Sequence, residues 1–568
     1  MAYLVKKKKK HRVYYYLAKS ARVNGKPRIV SRKYLGSAEK VAQILTSGEH
    51  LPTPEFSTVL DLGAVLALFD IAERLNMRET IERHVDKREQ GLPVSDTILL
   101  AAINRAVMPK SKNSFYGWYE KTVLYNCFIG ADKASLSSQG FWNNMTQLDE
   151  MKIRAIEDDI TYTVVHNYEI STECLLFDNT NFFTYINTNN PVTLAQRGHS
   201  KEKRSDLKII GLSLMVSPDD NIPLFHEAYP GNKNDSKQFS EIISLLKLRY
   251  KKLGKGDCTA TLVFDRGNND EDNVNDILKD VPLSFHIVGG LKINQCKELL
   301  SIPQKDYKPL QGDKFKQTVA YRTEKTVFGR VFTVVMTYNP QLYISQLQGV
   351  NYNIAKCKGK LQELQDSLLK WVHGEVKKGR RPGVKGVTNS VSAILSAEHM
   401  KDLFQYEIKQ AAGFVTLSFN FNTERFEELK TTVLGKSFLF TDRAEWTNEQ
   451  IVGAYRSQYH VEEAFKRMKD PKYLTFRPIY HFTDSKIRVH AFYCILALLL
   501  ASLMNRELAN MGYKMSMHQM LDCFQAVQQV ITVFPKSASF DNNVAISYSG
   551  LQGVANEYIE KFNLLQYL

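Results

Sequence analysis

Apolar and polar positions change period several times along the chain, and each change marks an element. Residues 11–36, HRVYYYLAKSARVNGKPRIVSRKYLG, alternate with a period of two around Asn24-Gly25. Those two residues tolerate the positive φ of a tight turn, so the stretch predicts a β-hairpin carrying basic side chains. From Leu60 the period becomes helical, in LGAVLALFDIAERLNM and again in SDTILLAAINRAV, where Ser95 is placed to cap the second helix. Strand-like runs follow: CLLFDNTNFFTY, LKIIGLSLMVSP and NIPLFHEAY, the last two joined by Asp219-Asp220-Asn221. A helical stretch, SKQFSEIISLLKLRYKKL, then leads to the apolar strand ATLVF.

Three strands in a meander, a helix, and a strand ending in an acid is the order of the RNase H-like fold. The expected class is therefore mixed α/β, an RNase H-like catalytic core with a mixed sheet. Residues 291–440 are too long for a loop and predict an inserted β-rich subdomain, in which RVFTVVMTY and GFVTLSFNF flank an amphipathic helix near residues 354–376. Thr447 and Gln450 form a capping-box pattern at the start of the next helix. Residues 485–506 and 515–533 read as helical, and AFYCILALLLASLM, at about 14 residues, is short of the roughly 20 of a membrane helix and predicts a buried core helix. The expected divisions are 1–50 (basic N-terminal hairpin), 51–168 (helical DNA-binding module), 169–290 (core, first part), 291–440 (insert), 441–510 (helical remainder of the core) and 511–568 (C-terminal helical region).

Composition narrows the partner. Of 568 residues, 43% are hydrophobic and 24% charged, ordinary for a protein with a large core, but the formal net charge is +15. The excess is clustered in KKKKKHR near the start and in KKGRRPGVK, which holds Lys377, Lys378, Arg380 and Arg381. Such clusters suit a polyanion. The seven cysteines form no C-x-x-C pair, which argues against a disulfide framework or zinc knuckle and for a reducing interior. No apolar stretch follows the first lysines, so secretion is not expected and a cytoplasmic, nucleoid-associated location is; a membrane partner is not expected.

The candidate chemistry is carried by acids among bases. Tyr455, Gln458, Glu462 and Lys469 are spaced by three, four and seven residues, which predicts one face of a helix. Asp178 follows CLLF and Asp265 follows TLVF, where strands would deliver them to the rim of a sheet. Three carboxylates are the hard oxygen ligands that a pair of Mg²⁺ ions, about 4 Å apart, requires for phosphoryl transfer. Asp178 would bridge the ions, and Asp265 and Glu462 would each hold one, with carboxyl oxygens converging within a few ångströms. Mn²⁺ would substitute. Each acid also has a plain reading, as a turn cap or half of a surface ion pair, and Glu463 competes with Glu462. His199, His460 and His481 have no spacing that suits a metal.

The stretch AYRSQYHVEEAFKRMK resembles the Y-x-x-R-x-x-x-E-x-x-x-x-x-x-K signature of bacterial insertion-sequence DDE transposases, with Tyr455, Glu462 and Lys469 in register. FDNTNFF is similar to the first acid box of that superfamily, with Asp178 and Thr180, and VFDRGNN to the second, with Asp265 and Arg266. RGHSKEKRSDLKIIGLSLMVSPDDNIPLFHEAYPGNKNDSKQF and LTFRPIYHFTDSKIRVHAFYCILALLL resemble one branch of it. The resemblance implies cutting at transposon ends and joining of the freed 3′-hydroxyl to target DNA. It further implies double-stranded DNA partners, the terminal inverted repeats and the target, and a homodimer on DNA. Tyr455, Arg456, Lys466, Lys469 and Arg266 would contact DNA. Gln458, also placed among the DNA contacts, stands where the signature has arginine and cannot make the bidentate charged contact.

Two other functions use the same residues. A site-specific nuclease or resolvase on this scaffold would lack strand-transfer products, since fold does not fix function. A catalytically silent DNA-binding regulator would have no need of Asp178, Asp265 and Glu462.

Overall fold

The computed structural model describes residues 2–9, 12–23, 26–46, 53–86, 91–187, 189–253, 260–279, 284–376, 378–535 and 543–568. The expected Asn24-Gly25 turn, His11 and Lys377 lie outside these. The chain divides into two compact units: Met1–Leu66 with Tyr119–Cys127 and Asp522–Leu568, and Ala67–Trp118 with Phe128–Leu521.

The larger unit is mixed α/β and is organised by a nine-stranded sheet. Its third strand from one edge is β1 (Cys174–Phe183). On one edge β1 pairs antiparallel with β2 (Ile209–Val216), and β2 with β3 (Pro223–Pro230). On the other edge β4 (Thr261–Phe264) runs parallel to β1, and β5 (His286–Leu291) runs parallel to β4. Every residue of β2 and β4 is buried, as runs of Ile, Leu, Val and Phe require when both faces of a sheet are covered. Parallel pairing needs a crossover, and the helices Asp235–Lys252 and Glu271–Leu278 supply those before β4 and before β5.

The sheet then continues antiparallel through strands from the expected insert: β6 (Val319–Val327), β7 (Arg330–Tyr338) and β8 (Lys436–Thr441), in the order β6-β7-β8-β5, with the two-residue strand Lys308–Pro309 on the outer edge beside β6. The insert is thus partly an extension of the main sheet. The rest of it, the helix Pro340–Val372 and the hairpin Phe404–Ala411 with Phe414–Phe421, gathers its own core around Ile354, Leu361, Leu368, Val391 and Leu417. The helix begins well before the expected residue 354 because Asn339 caps it and Pro340 suits its first turn. Ser95 does not cap Val94–Val107; its amide instead donates to Glu82 at 2.9 Å.

The run AFYCILALLLASLM lies in a 27-residue helix, Asp484–Asn510. By length and composition it could cross a membrane, and 94% of its most apolar window is buried inside the protein.

In the smaller unit, Ala2–Lys9, Arg12–Val23 and Lys26–Ser37 form an antiparallel three-stranded sheet that includes the expected hairpin strands. Two expectations are corrected there. Phe56–Asp61, assigned to a helical module, is a strand, and residues 528–533, read as helical, are its antiparallel partner. The helix Met517–Gln525 stops before them. A β-branched run such as QQVITV is helical or extended according to what it can pair with, and its partner is more than 460 residues away in sequence.

One buried charge cluster ties the larger unit together. Glu157, from the helix Glu150–Asn167, accepts from Arg249 Nη2 at 2.6 Å and meets His226 Nδ1 of β3. Burial alone would push the Glu157 carboxyl up, but Arg249 and His226 outweigh it and hold it down at about 2. Glu157→Gln should therefore cost about 3 kcal/mol, because among the described residues Arg249 keeps only Asp158 as an ionic partner. A depressed carboxyl stabilises above its ordinary value, so this contribution should fade as pH falls from 4.5 towards about 2. Urea unfolding of both proteins across that range checks the cost and its disappearance.

Candidate active site

The parallel register between β1 and β4 sets the first two acids side by side. Phe177 is opposite Phe264 at the end of their pairing, and Asp178 and Asp265 are the next residues on each strand. Asp178 does not end its strand as the sequence suggested; β1 runs on to Phe183, paired only with β2. Asp178 is half-buried and its Oδ1 accepts from the Asn179 amide at 2.7 Å. Asp265 is exposed, and its Oδ1 accepts from the Arg266 amide at 2.8 Å, capping the short 3₁₀ turn Arg266–Asn268. The plain turn-cap role of Asp265 is thus real, and it engages one carboxyl oxygen.

The stretch expected to be one helix is two. α1 (Asn448–Arg456) starts at the expected Thr447/Gln450 capping box, and α2 (Tyr459–Met468) follows a break at Ser457-Gln458. Around the break the amides of Gln458, His460 and Val461 bond three residues back instead of four, tightening the turn. The four spaced residues therefore do not share one helical face, yet three of them still meet the sheet. Tyr455 donates to Asp265 Oδ1 at 3.2 Å. Gln458 Nε2 donates to the Phe177 carbonyl at 2.7 Å. Lys469 Nζ donates to Thr180 Oγ1 at 3.0 Å, and Thr180 shares the face of Asp178 by strand alternation.

Tyr455 comes this close because Gly290 on β5 has no side chain; a Cβ there would stand 2.5 Å from the tyrosine hydroxyl. Burial first, then the negative charges of Asp265 and Glu462, raise the Tyr455 phenol, so it stays a donor. Burial lowers the Lys469 ammonium, with Glu202 opposing.

Glu462 is exposed and, among the described residues, has no ion-pair partner. Glu463 pairs with Arg467 at 3.4 Å and Lys466 at 3.7 Å. The two neighbours thus differ as a free and a committed carboxylate. The expected convergence of three acids is not reached: among the described residues no group of three His, Cys, Asp or Glu side chains is close enough to hold a metal ion.

The expected DNA contacts separate into three kinds. Arg266 is exposed and has no ion pair among the described residues, and Lys466 is largely exposed. Arg456 turns away, its guanidinium donating to the Lys314 carbonyl at 3.0 Å and Thr318 at 2.9 Å. Gln458 is corrected: it is buried, and its Nε2 is committed to the Phe177 carbonyl, so it positions α2 on β1. Lys378, Arg380 and Arg381 are on the loop after Pro340–Val372, with Arg381 over the Phe414 ring at 4.6 Å.

Three neighbours were not singled out from sequence. Arg477 donates to the Lys469 carbonyl at 2.8 Å and to Glu202 at 2.6 Å, and Lys201 reaches the Asn179 carbonyl. All three, Lys201, Glu202 and Arg477, lie in the stretches RGHSKEKRSD and LTFRPIYHF, whose likeness was visible only as whole segments. Beside Asp265, a cleft of about 460 Å³ extends between Arg266, Gly290, Tyr455, Glu398, His399 and Lys436.

No family model matches the chain, and no curated protein matches it. Among solved structures it is similar to a chain of the cryo-EM structure of a piggyBac transposase synaptic complex with hairpin DNA, at 11% identity and a TM-score of 0.35, over 81% of this chain and 78% of that one. That likeness is too distant to specify chemistry.

The geometry separates positioning groups from free ones. Gln458→Leu should cost about 1–3 kcal/mol, by leaving the buried Phe177 carbonyl without its donor. Arg266→Gln should change stability by less than about 0.5 kcal/mol. Chemical denaturation of the two variants decides this, and equal losses would contradict it.

Proposed function

We propose that the protein is a DNA transposase of the DDE type that cuts transposon-end DNA and joins the 3′-hydroxyl to target DNA. The observation that carries this reading is the pair of adjacent parallel strands presenting Asp178 and Asp265 together, with Tyr455 bonded to Asp265 and an unpaired Glu462 on the next helix. The strand order β3-β2-β1-β4-β5, with only β2 antiparallel to its neighbours, supports an RNase H-like core. The likeness of the residues around these acids to insertion-sequence transposases supports the specific reaction.

The donor set suits Mg²⁺ or Mn²⁺ in kind, because all three groups are carboxylates and two of them are exposed. Two divalent ions held by Asp178, Asp265 and Glu462 would activate the attacking oxygen and stabilise the leaving one. Tyr455 orients Asp265 through its hydroxyl, and Lys469 holds a positive charge beside Thr180 on the Asp178 face. Arg266, exposed beside the cleft, is free to neutralise a phosphate. The basic surfaces would hold double-stranded DNA, the transposon ends and the target, with a homodimer handling two ends together. Lys378, Arg380 and Arg381 would bind without cutting, and each phosphate contact removed there should flatten the salt dependence by about one unit of log-log slope.

Asp178→Asn, Asp265→Asn and Glu462→Gln should each reduce Mg²⁺-dependent cleavage of end DNA by at least about a thousandfold while leaving binding intact. Glu463→Gln should retain cleavage, since its carboxylate serves Arg467 and Lys466. Ca²⁺ should not support the reaction, because it does not impose the tight octahedral geometry of Mg²⁺. Gel assays of cleavage and strand transfer test this. Cleavage without transfer products would favour a nuclease, and full activity in EDTA would remove the metal mechanism.

A further inference from the structure

A second recess, built away from the carboxylates, contains cations with no anion. It measures about 420 Å³ and is lined by Arg105, Lys112, Asn113, Trp142, Tyr480 and His481. Arg105 is 8% exposed on the buried helix Val94–Val107, a position where arginine is rarely found unpaired. Lys112 Nζ donates to His481 Nε2 at 3.0 Å and is 3.5 Å from the Tyr493 hydroxyl. Lys486 is 5% exposed, bonded to Thr146 at 2.6 Å and 5.8 Å from the Trp142 ring centre. Among the described residues no carboxylate pairs with Arg105, Lys112, His481 or Lys486.

Burial and then Arg105 push the Lys112 ammonium down to about 7. Burial and the surrounding cations push the His481 imidazole well below its ordinary value, so it remains the neutral acceptor for Lys112. A desolvated cation normally has a partner, and neutral hydrogen bonds do not cancel its charge. What the recess lacks is an anion. We infer that it is a binding site for a phosphate of a nucleic-acid backbone, held by Arg105 and Lys112. Two features favour a phosphodiester over a free ion. The recess is larger than one tetraoxyanion, and Trp142 and Tyr480 provide an apolar wall for the attached sugar. The segment that carries His481 also carries Arg477, which bonds the Lys469 carbonyl, so one stretch of chain adjoins both sites.

The nucleic-acid half of this inference rests on the function proposed above, and its test is independent of cleavage. The full chain in EDTA is titrated with inorganic phosphate, against chloride of equal ionic strength, while its melting temperature is followed. Phosphate should raise the melting temperature of the native protein by about 2–4 °C. Lys112→Met should melt higher than the native protein in chloride, because an unpaired cation is gone, and should lose the phosphate response. His481→Gln, which keeps both cations, should retain most of it and serves if Lys112→Met fails to fold. Binding of a short duplex oligonucleotide, also in EDTA, should weaken about tenfold in Lys112→Met, with a salt slope smaller by about one. Equal protection by phosphate and chloride in the native protein overturns the site. Phosphate protection with unchanged duplex affinity overturns the nucleic-acid occupant and leaves a free-phosphate site. Retained cleavage in the acid variants with both binding results intact would fault the catalytic reading alone.

Discussion

The parallel pairing of β1 with β4 is the constraint on which the candidate site depends. Four ladder partners, ending at Phe177 and Phe264, determine that the next residues are Asp178 and Asp265, on adjacent strands at the same level. A slip of one residue would send one of the acids to the opposite face, because side chains alternate along a strand. The register is secured by burial: Leu175, Leu176, Phe177, Leu262, Val263 and Phe264 are all fully enclosed, so no shifted pairing keeps the same apolar surface out of water.

Around that pair the helices act as clamps. Gln458 spends its amide on the Phe177 carbonyl, one residue before Asp178, and Tyr455 and Lys469 reach Asp265 and Thr180 from either side of the helix break. The overwound turn at Ser457-Gln458 makes these three contacts compatible, since its bonds span three residues where a straight helix spans four. Gln458 thus exchanges a possible ligand contact for a structural one, and the exposed Arg266 and the unpaired Glu462 remain available to solvent.

Charge is handled in two ways in the larger unit. Where Arg249 is buried, Glu157 and Asp158 meet it, and the result is an internal brace. Where Arg105 and Lys112 line a recess, no carboxylate among the described residues meets them, and the electrostatic cost is left standing in a recess open to ligand. A net charge of +15 is a property of the whole surface, but an uncompensated pair of cations in a pocket is a local demand for an anion.

Much of this was legible in the residues themselves. The strands bearing Asp178 and Asp265, the Thr447/Gln450 cap and the buried run within Asp484–Asn510 follow from apolar periodicity and capping chemistry, which are local properties. Three features were not. The pairing of Phe56–Asp61 with Gln528–Val533 depends on a partner more than 460 residues away. The break at Ser457-Gln458 has no Pro or Gly to announce it and arises where the helix meets the sheet. The cationic recess joins Lys112 to His481 across 369 positions. Periodicity and spacing determined which elements form and which side chains each presents. Only tertiary packing decided which of those side chains meet, because contact, burial and the loss of a counter-ion belong to pairs of distant segments.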